Sequence, residues 1–598
     1  MSQHSKLKLL RQAMVRAGVQ ACLIPSADPH LSEYLPSHWQ IRLWLTGFTG
    51  SVGTVVVTDT FAGVWVDSRY WVQAERDLAG SGFELMKIGA VGDSAHTHWL
   101  AVALQANDTL AVDGRALSWS GVQALEGLLK PRGVKIETKL DLISEIWSDR
   151  PALPTALVYA FDLAYAGTSR SQKLSAVRRE MFQYKTDWHV ISTLDDVAWL
   201  LNLRGQDVDF NPVFMAHVLI SDQTAKLFID VNKVSTTLQA ELLQDGFEVV
   251  PYELAQQALT QVSSDDSILF DPMRMTVALI DACQAQKVMA VNPSTLIKSR
   301  KTAHELEHVR QAMRHDGLAL CEFLTWLEQA IDNRAQEPLT EFMLDEKLLH
   351  YRSQQPGFVS RSFATIAAFN ANGAMPHYRA TQGSHARIEG NGLLLLDSGA
   401  QYLGGTTDIT RMIPVGELSD LQRADCTAVL RGMIALSELT FPEGVASPLI
   451  DAVARAPLWA SLTEYGHGTG HGVGYFLNVH EGPQVISYRA GVTPQTALQL
   501  GMITSNEPGL YRPNKWGVRI ENLICCKAAG ESEFGRFLSF ETLTVCPIDT
   551  RCLDLSALRP HELLWLNQYH EWVRTKLAAD LTGLSLDWLL KKTEPVSV

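Results

Sequence analysis

The chain has 598 residues, of which 46% are hydrophobic and 19% charged, with a formal net charge of −14. That length exceeds a single core and predicts about two to four domains of ordinary globular composition. The acidic balance argues against general nucleic-acid binding, no apolar run approaches membrane-spanning length, and the eight cysteines, with no C-x-x-C pair among them, read as reduced thiols of a cytosolic protein.

Residues 5–17 read as an amphipathic helix built on Leu7, Leu10 and Met14. Lys6, Lys8, Arg11 and Arg16 are mixed into it without an apolar h-region, so no secretory signal is expected. Ala21-Cys22-Leu23-Ile24-Pro25 is a buried strand ended by proline. Residues 44–51 are rich in turn formers. Val55-Val56-Val57-Thr58-Asp59 and Ala62-Gly63-Val64-Trp65-Val66-Asp67 predict a hairpin, and strands with intervening helices make an α/β unit.

The unit recurs. Val218-Leu219-Ile220-Ser221-Asp222 and Ala225-Lys226-Leu227-Phe228-Ile229-Asp230 repeat the hairpin, with Asp222 and Asp230 at one constant offset from Asp59 and Asp67. Residues 199–205 echo the earlier tryptophan segment. Two unrelated hairpins could share an apolar pattern, but the matching aspartate after both strands favours duplication. The copies differ after the hairpin, where Asp67-Ser68-Arg69-Tyr70 has an arginine and the second copy has Asn232. Residues 147–154 form a linker, and a second boundary falls near Pro293-Ser294-Thr295. Residues 303–317 and 318–327 follow as long amphipathic helices. The last segment, with Trp565, Tyr569, Trp572 and Trp588, reads as packed helices and not as a tail.

The chemistry lies between these boundaries. Leu393-Leu394-Leu395-Leu396 is a buried strand that delivers Asp397. Asp408 follows after Gly404 and Gly405, which suit a hairpin turn, so the two aspartates can face one point. Two turn aspartates are the commoner fate of such a pair. The stretch Tyr465-Gly466-His467-Gly468-Thr469-Gly470-His471-Gly472-Val473-Gly474, followed by His480-Glu481-Gly482-Pro483, sets three histidines among glycines. So much glycine disfavours a helix and lets backbone approach closely. It is neither the dinucleotide fingerprint, because His471 occupies the third glycine position, nor the helical H-E-x-x-H zinc pattern. Glu507 precedes Pro508 and is pushed into an extended conformation. Val518-Arg519-Ile520-Glu521-Asn522-Leu523-Ile524 alternates as one strand, with Arg519 and Glu521 on one face and apolar neighbours that imply burial. Four carboxylates and one imidazole together call for cationic compensation. Two divalent cations would supply it, and oxygen-rich ligands favour hard ions such as Mn²⁺.

These residues and their contexts resemble the pita-bread metallopeptidases of family M24. The match extends to Pro25-Ser26, Gly47-Phe48-Thr49-Gly50-Ser51, Asp67-Ser68-Arg69-Tyr70, Asn211-Pro212-Val213-Phe214, Asn372-Gly373-Ala374, His377-Tyr378 and Asp397-Ser398-Gly399-Ala400-Gln401-Tyr402. It is similar to the three-domain cytosolic aminopeptidase P, or Xaa-Pro aminopeptidase, family from about residue 10 to the end. The resemblance implies an α/β (α+β) fold: creatinase-like domains at 1–152 and 153–302, then a pita-bread catalytic domain with a C-terminal extension at 303–598. It implies hydrolysis of the N-terminal Xaa-Pro bond through a dinuclear metal centre and bridging hydroxide. Asp397 would bind one metal, His471 and Glu507 the other, and Asp408 and Glu521 both. The metals would be Mn²⁺, with Zn²⁺ or Co²⁺ as alternatives. His377, His467 and His480 would bind substrate and steady the tetrahedral intermediate, Glu507 would act as general base, Arg69 would contact the peptide, and Arg519 would orient Glu521 and help bind substrate. The expected partners are peptides with proline second, with no nucleic acid and no membrane. A cytoplasmic homodimer is expected, with the tryptophan-rich C-terminal helices as its candidate surface. A prolidase of the same fold and a non-catalytic pita-bread binding protein are the alternative readings.

Overall fold

The computed structural model describes residues 1–89 and 95–597. The chain divides into two compact units, Met1–Thr295 and Leu296–Val598. The first contains two six-stranded sheets. One runs in the order Glu84–Lys87, Ala62–Val66, Thr54–Thr58, Ala21–Pro25, Thr109–Val112, Lys135–Glu137. The other runs Glu248–Pro251, Ala225–Ile229, Ala216–Ser221, Trp188–Ile191, Ser267–Phe270, Gln286–Met289. Strand directions also agree. The central three strands of each sheet are antiparallel and the flanking pairs are parallel. The duplication read from the aspartate pairs is thus one of topology.

The recurring aspartates have a local job. Asp67 accepts the backbone N–H of Arg69 (3.0 Å) and Asp230 that of Asn232 (3.0 Å), so each carboxylate closes the turn after its hairpin. The tryptophan segments are helix ends rather than pure turns. Ile41–Thr46 stops at Gly47 (φ 78°), and Leu194–Leu201 stops at Asn202 (φ 45°). Glycine and asparagine are the residues that take a left-handed cap at least cost.

The second unit starts from one helix, Ala303–Asp332, of 30 residues. The sequence suggested two helices here. They are continuous because Gly317 is not a stop: a Cβ there would lie 2.2 Å from the Val545 carbonyl oxygen, so glycine serves close packing. A capping box between Thr302 and Glu305 opens the helix. Its apolar stripe, Leu320, Phe323, Leu324 and Leu327, packs with Leu344 and Leu348 of helix Glu341–Ser353 onto Leu394, Leu396 and Ile413. Strand Gly392–Ser398 is central between Ile366–Phe369 and Ile409–Val415, and all seven of its residues are buried. That accounts for its run of leucines in place of an alternating pattern.

A six-stranded sheet forms the other half, in the order Phe441–Pro442, Gly535–Thr542, Asn522–Ser532, Ile503–Asn506, Gly470–Gly472, Glu481–Ile486. Its core joins Ile486, Met502 and Ile524 to Leu436 and Ala454 of the helices Asp420–Ser437 and Asp451–Trp459. The C-terminal helices Pro560–Leu577 and Gly583–Lys592 use their tryptophans within the chain. Trp588 packs on the helical core and donates to Glu328 (2.7 Å), and Trp565 stacks on Tyr569. All eight cysteines are buried and free. Among the described residues no helix is long and apolar enough to cross a membrane.

One buried ion pair supports the first aspartate hairpin. Asp316 accepts two hydrogen bonds from Arg352 (2.8 and 3.0 Å), one from Tyr402 (3.0 Å) and one from Thr407 (3.0 Å), the residue before Asp408. Removing one member of a buried pair leaves the other charge uncompensated. Arg352→Met should therefore cost about 3–5 kcal/mol in urea denaturation, with partial recovery when Asp316→Asn is added. A loss under about 1 kcal/mol would show that this pair does not hold the hairpin.

Candidate metal centre

Asp397 lies near the end of the buried leucine strand, and Asp408 directly precedes the strand Ile409–Val415 that pairs with it. Between them two short strands, Ala400–Tyr402 and Gly405–Thr406, form the hairpin expected around Gly404 and Gly405. Glu507 follows the strand Ile503–Asn506, and its backbone N–H donates to Thr469 O (2.8 Å). The predicted single strand over 518–524 is broken. Trp516–Arg519 pairs with Gly509–Arg512, residues 520 and 521 leave the sheet, and Asn522–Ser532 joins the six-stranded sheet. The break has a visible cause. Arg411 donates to the carbonyls of Thr410 (3.0 Å) and Glu521 (2.6 Å), while the Glu521 N–H donates to Thr410 O (3.2 Å), which pulls residue 521 toward the aspartate strand.

His471 sits between two glycines in the strand Gly470–Gly472. A Cβ at Gly470 would lie 2.0 Å from Ser505 O, and one at Gly472 would lie 2.4 Å from Glu481 O. The glycines let neighbouring strands close tightly around the imidazole. His471 Nδ1 is 3.0 Å from the Gly472 carbonyl, which can only accept, so Nδ1 carries the proton and, in the neutral imidazole, Nε2 presents a lone pair. That lone pair faces Asp408 Oδ2 at 3.6 Å and Glu507 Oε1 at 3.5 Å. Single donor atoms of Asp408, His471 and Glu521 all lie within 4.8 Å of one another. Asp397 Oδ1 and Glu521 Oε1 are buried and have no hydrogen-bond partner among the described residues.

Burial raises the pKa of all four carboxyls. Asp397 is pushed up by desolvation, against the pull of Arg519. Asp408 is pushed well up by desolvation and then by Glu521 and Asp397, and Glu521 by desolvation and then Glu507. Glu507 is raised to about 7 by desolvation, with Arg519 opposing. A lone pair aimed at carboxylates, orphaned buried oxygens and mutually repelling acids are what a cation site looks like from its ligands. The donor set of four carboxylates and one imidazole fits divalent metals.

Further groups support the donors, and of these Thr410, Tyr511 and Arg455 were not legible in the sequence. Arg519 pairs with Asp397 Oδ2, donates to Tyr511 Oη (2.6 Å), and reaches Glu521 through Thr410, whose hydroxyl donates to Glu521 Oε2 (2.7 Å). Tyr511 in turn meets His467 Nε2 at 2.8 Å, while His467 Nδ1 is 2.8 Å from the Gly468 carbonyl. Only alternation along Gly509–Arg512 and its pairing with the strand of Arg519 could have flagged Tyr511. Arg455 organises the histidine loop. It is buried, pairs with Asp451 (2.8 Å), donates to Tyr465 O (3.0 Å) and His467 O (2.6 Å), and lies over the Tyr465 ring at 3.8 Å. His480 meets His471 edge to face, with ring centroids 4.2 Å apart. His377 is half-buried in a turn, and the carbonyl of the preceding Pro376 accepts from Arg519 Nη2 (3.4 Å). Arg69 lies in the first unit, where its guanidinium pairs with Asp67 (2.7 Å). In the second sheet, Asn232 Nδ2 donates to Asp230 at the equivalent place (2.9 Å).

Carboxyls whose pKa is raised by folding hold their protons more tightly in the folded chain. Their contribution therefore favours the folded state at low pH and is lost as pH rises through the folded value, about 7 for Glu507. From Glu507 the metal-free chain should lose stability between about pH 4.5 and pH 7. The gain in thermal midpoint on adding a divalent cation should grow over the same window, with protons released on binding. A metal-induced gain that shrinks from about pH 4.5 to pH 7 would contradict the assignment.

Comparison with known proteins gives a consistent picture. The metallopeptidase family M24 pattern matches residues 307–528, and its C-terminal region matches 536–596. Creatinase/prolidase N-terminal domain patterns match 6–143 and 149–305. The chain is 38% identical to aminopeptidase P2 of Arabidopsis thaliana, over 97% of this chain and 86% of that one. It is 36% identical to Xaa-Pro aminopeptidase 1 of Dictyostelium discoideum, over 99% and 96%. The crystal structure of X-prolyl aminopeptidase from Caenorhabditis elegans, described as a cytosolic enzyme with a di-nuclear active site, superposes with a TM-score of 0.94 at 32% identity over all of both chains. Xaa-Pro dipeptidase from Bacillus anthracis shares the fold over 64% of this chain and 99% of its own (TM-score 0.50, 24% identity).

Proposed function

The chain belongs to metallopeptidase family M24 as an enzyme of the aminopeptidase P type, and from that premise we propose that it removes the first residue from peptides whose second residue is proline. The observation that carries this reading is the convergence of Asp397, Asp408, His471, Glu507 and Glu521, with buried carboxylate oxygens left for a ligand. In this reading Asp397, Asp408, His471, Glu507 and Glu521 would together hold two metals, with Asp397 on one side of the site and His471 and Glu507 on the other. Two divalent cations, Mn²⁺ first and Zn²⁺ or Co²⁺ as alternatives, would supply Lewis-acid polarisation of the scissile carbonyl and an acidified water.

The chain's own groups do the rest. Glu507, beside the imidazole of His471, accepts the proton of the attacking water as general base. His480, edge-on to His471, and His377 donate hydrogen bonds to the carbonyl oxygen as charge develops there. His467 is tied through Tyr511 to Arg519, so substrate contacts at His467 are coupled to the position of Asp397. A bond to proline is a tertiary amide without N–H. Recognition then rests on the ring's shape and the free α-amine, which the carboxylate-rich centre favours.

One feature favours an aminopeptidase over a prolidase: the relatives matched over nearly the whole chain are named aminopeptidases. A non-catalytic binding role fits poorly with five intact donors. A cytosolic location and a homodimer are part of the proposal, the first supported by the description of the Caenorhabditis enzyme.

The deciding assay compares an Arg-Pro-Pro-type peptide with Xaa-Pro dipeptides, before chelation, after it, and after Mn²⁺ is returned. The tripeptide should be cleaved, chelation should abolish turnover and Mn²⁺ should restore it, while Glu521→Ala should lose metal and activity together. Cleavage of dipeptides alone would make the protein a prolidase, and full activity after exhaustive demetallation would sink the two-metal reading.

Arg69 is proposed to contact the peptide. Its local pairing with Asp67 is matched by Asn232 with Asp230, so turn closure does not require arginine. Arg69→Ala should raise KM for proline-containing peptides with bound metal and thermal midpoint nearly unchanged, and Asn232→Ala should change neither. Equal kinetics for Arg69→Ala and wild type on di-, tri- and longer peptides would remove Arg69 from the substrate site.

A further inference from the structure

The segment 370–386 carries His377 and contains little regular structure beyond a short 3-10 turn, Asn370–Ala374. Such a loop needs an external frame to hold one side chain in a fixed place. Two frames are visible. On one side, the loop backbone lies on the strand Trp516–Arg519. A Cβ at Gly517 would sit 1.7 Å from Gly373 O, and Pro376 O accepts from Arg519. On the other side, four groups converge on one carboxylate.

That carboxylate is Glu341, the first residue of helix Glu341–Ser353, and it is fully buried. Its Oε1 accepts from the Phe369 N–H (2.6 Å) and Asn372 Nδ2 (3.0 Å). Its Oε2 accepts from Asn372 Nδ2 (3.0 Å), the Tyr378 hydroxyl (2.8 Å) and the Ala386 N–H (2.6 Å). Among the described residues no cation pairs with it. A buried anion needs such donors to persist. Here all of them come from 369–386, at the start of the loop, next to His377 and at its end. The donors therefore satisfy the carboxylate, and the carboxylate fixes the loop's closure.

We propose that Glu341 is a positioning residue for His377, holding the loop 370–386 so that His377 reaches the metal centre at a fixed place. This rests on the role assigned to His377 above. Helix capping is the competing explanation, since an acid in a first turn also complements the helix dipole. The convergence on Tyr378, next to His377, goes beyond that role, because a dipole needs no partner there.

Glu341→Gln tests the point while keeping size and shape. An amide has one acceptor oxygen, and its NH₂ would face either the Phe369 or the Ala386 N–H, donor against donor. In the metal-loaded full chain, kcat/KM on an Xaa-Pro tripeptide should fall roughly 10–100-fold, with metal per chain unchanged. Tyr378→Phe, which removes one hydrogen bond, should fall in the same direction by less and serves if Glu341→Gln folds poorly. In a His377→Ala background, either change should cost less than about twofold, because nothing is left to position. Losses that add in full on top of His377→Ala would overturn the proposal, as would a drop in thermal midpoint without loss of kcat/KM. If wild type leaves Xaa-Pro peptides intact, the functional reading fails and a second readout judges this one. Selectively labelled His377 imidazole NMR signals should shift and broaden in Glu341→Gln, and unchanged signals would overturn the proposal.

Discussion

Four carboxylates held at one buried point repel one another and lose their hydration, and the second unit is built around that conflict. Among the described residues, Arg519 is the guanidinium in direct contact, paired with Asp397 and 4.0 Å from Glu507. One cation cannot neutralise four anions, so the protein protonates them or imports positive charge. The raised pKa values of Asp397, Asp408, Glu507 and Glu521, driven by burial, express the first solution. Divalent cations are the second. The same burial that makes the acids reluctant to ionise makes the site tight for metal once they do.

Holding that arrangement takes scaffolding on every side. Asp397 is fixed by a strand buried on both faces, so its backbone has no freedom to relax. Arg411 cross-links residues 410 and 521, which brings a strand end from the six-stranded sheet against the aspartate hairpin. Arg455 grips two carbonyls of the histidine loop, and Arg352 grips Asp316 behind Thr407. These arginines serve as buried multi-donor clamps, a use for which lysine has too few directed donors. The glycines beside His471 belong to the same logic. They let strands 503–506 and 481–486 close around the imidazole, while the carbonyl of Gly472, the next residue, sets its tautomer.

How much of this could be read from the chain depended on whether the signal was local. The leucine run ending in Asp397, the glycine-framed His471 and Glu507 before proline carry their geometry in adjacent residues, so strand, close approach and extended backbone were each legible. The hairpins with Asp67 and Asp230 were legible for the same reason, and their sheets share an order. The break after Arg519 was not, because it is imposed by Arg411, a residue more than a hundred positions away. Nor could alternation reveal that Arg519 pairs with Asp397, since that contact joins two sheets. The continuous helix 303–332 was missed at Gly317, where glycine reads as a stop and works as a contact. The C-terminal tryptophans were read as parts of packed helices, and Trp588 spends its ring and N–H on its own helical core.

The duplicated sheets of the first unit show what selection on a local turn does and does not fix. Asp67 and Asp230 close equivalent turns through the backbone N–H two residues on, a bond any residue at that place can donate. The side chain there is therefore free to vary without cost to the fold. In one copy it is Asn232, which bonds back to the turn and is exposed; in the other it is Arg69, a longer side chain whose guanidinium pairs with Asp67. A duplicated scaffold can thus carry a reactive or binding side chain in one copy while its twin retains the geometry alone. That separation of turn closure from side-chain chemistry lets two sheets with one strand order carry different side chains at a single position.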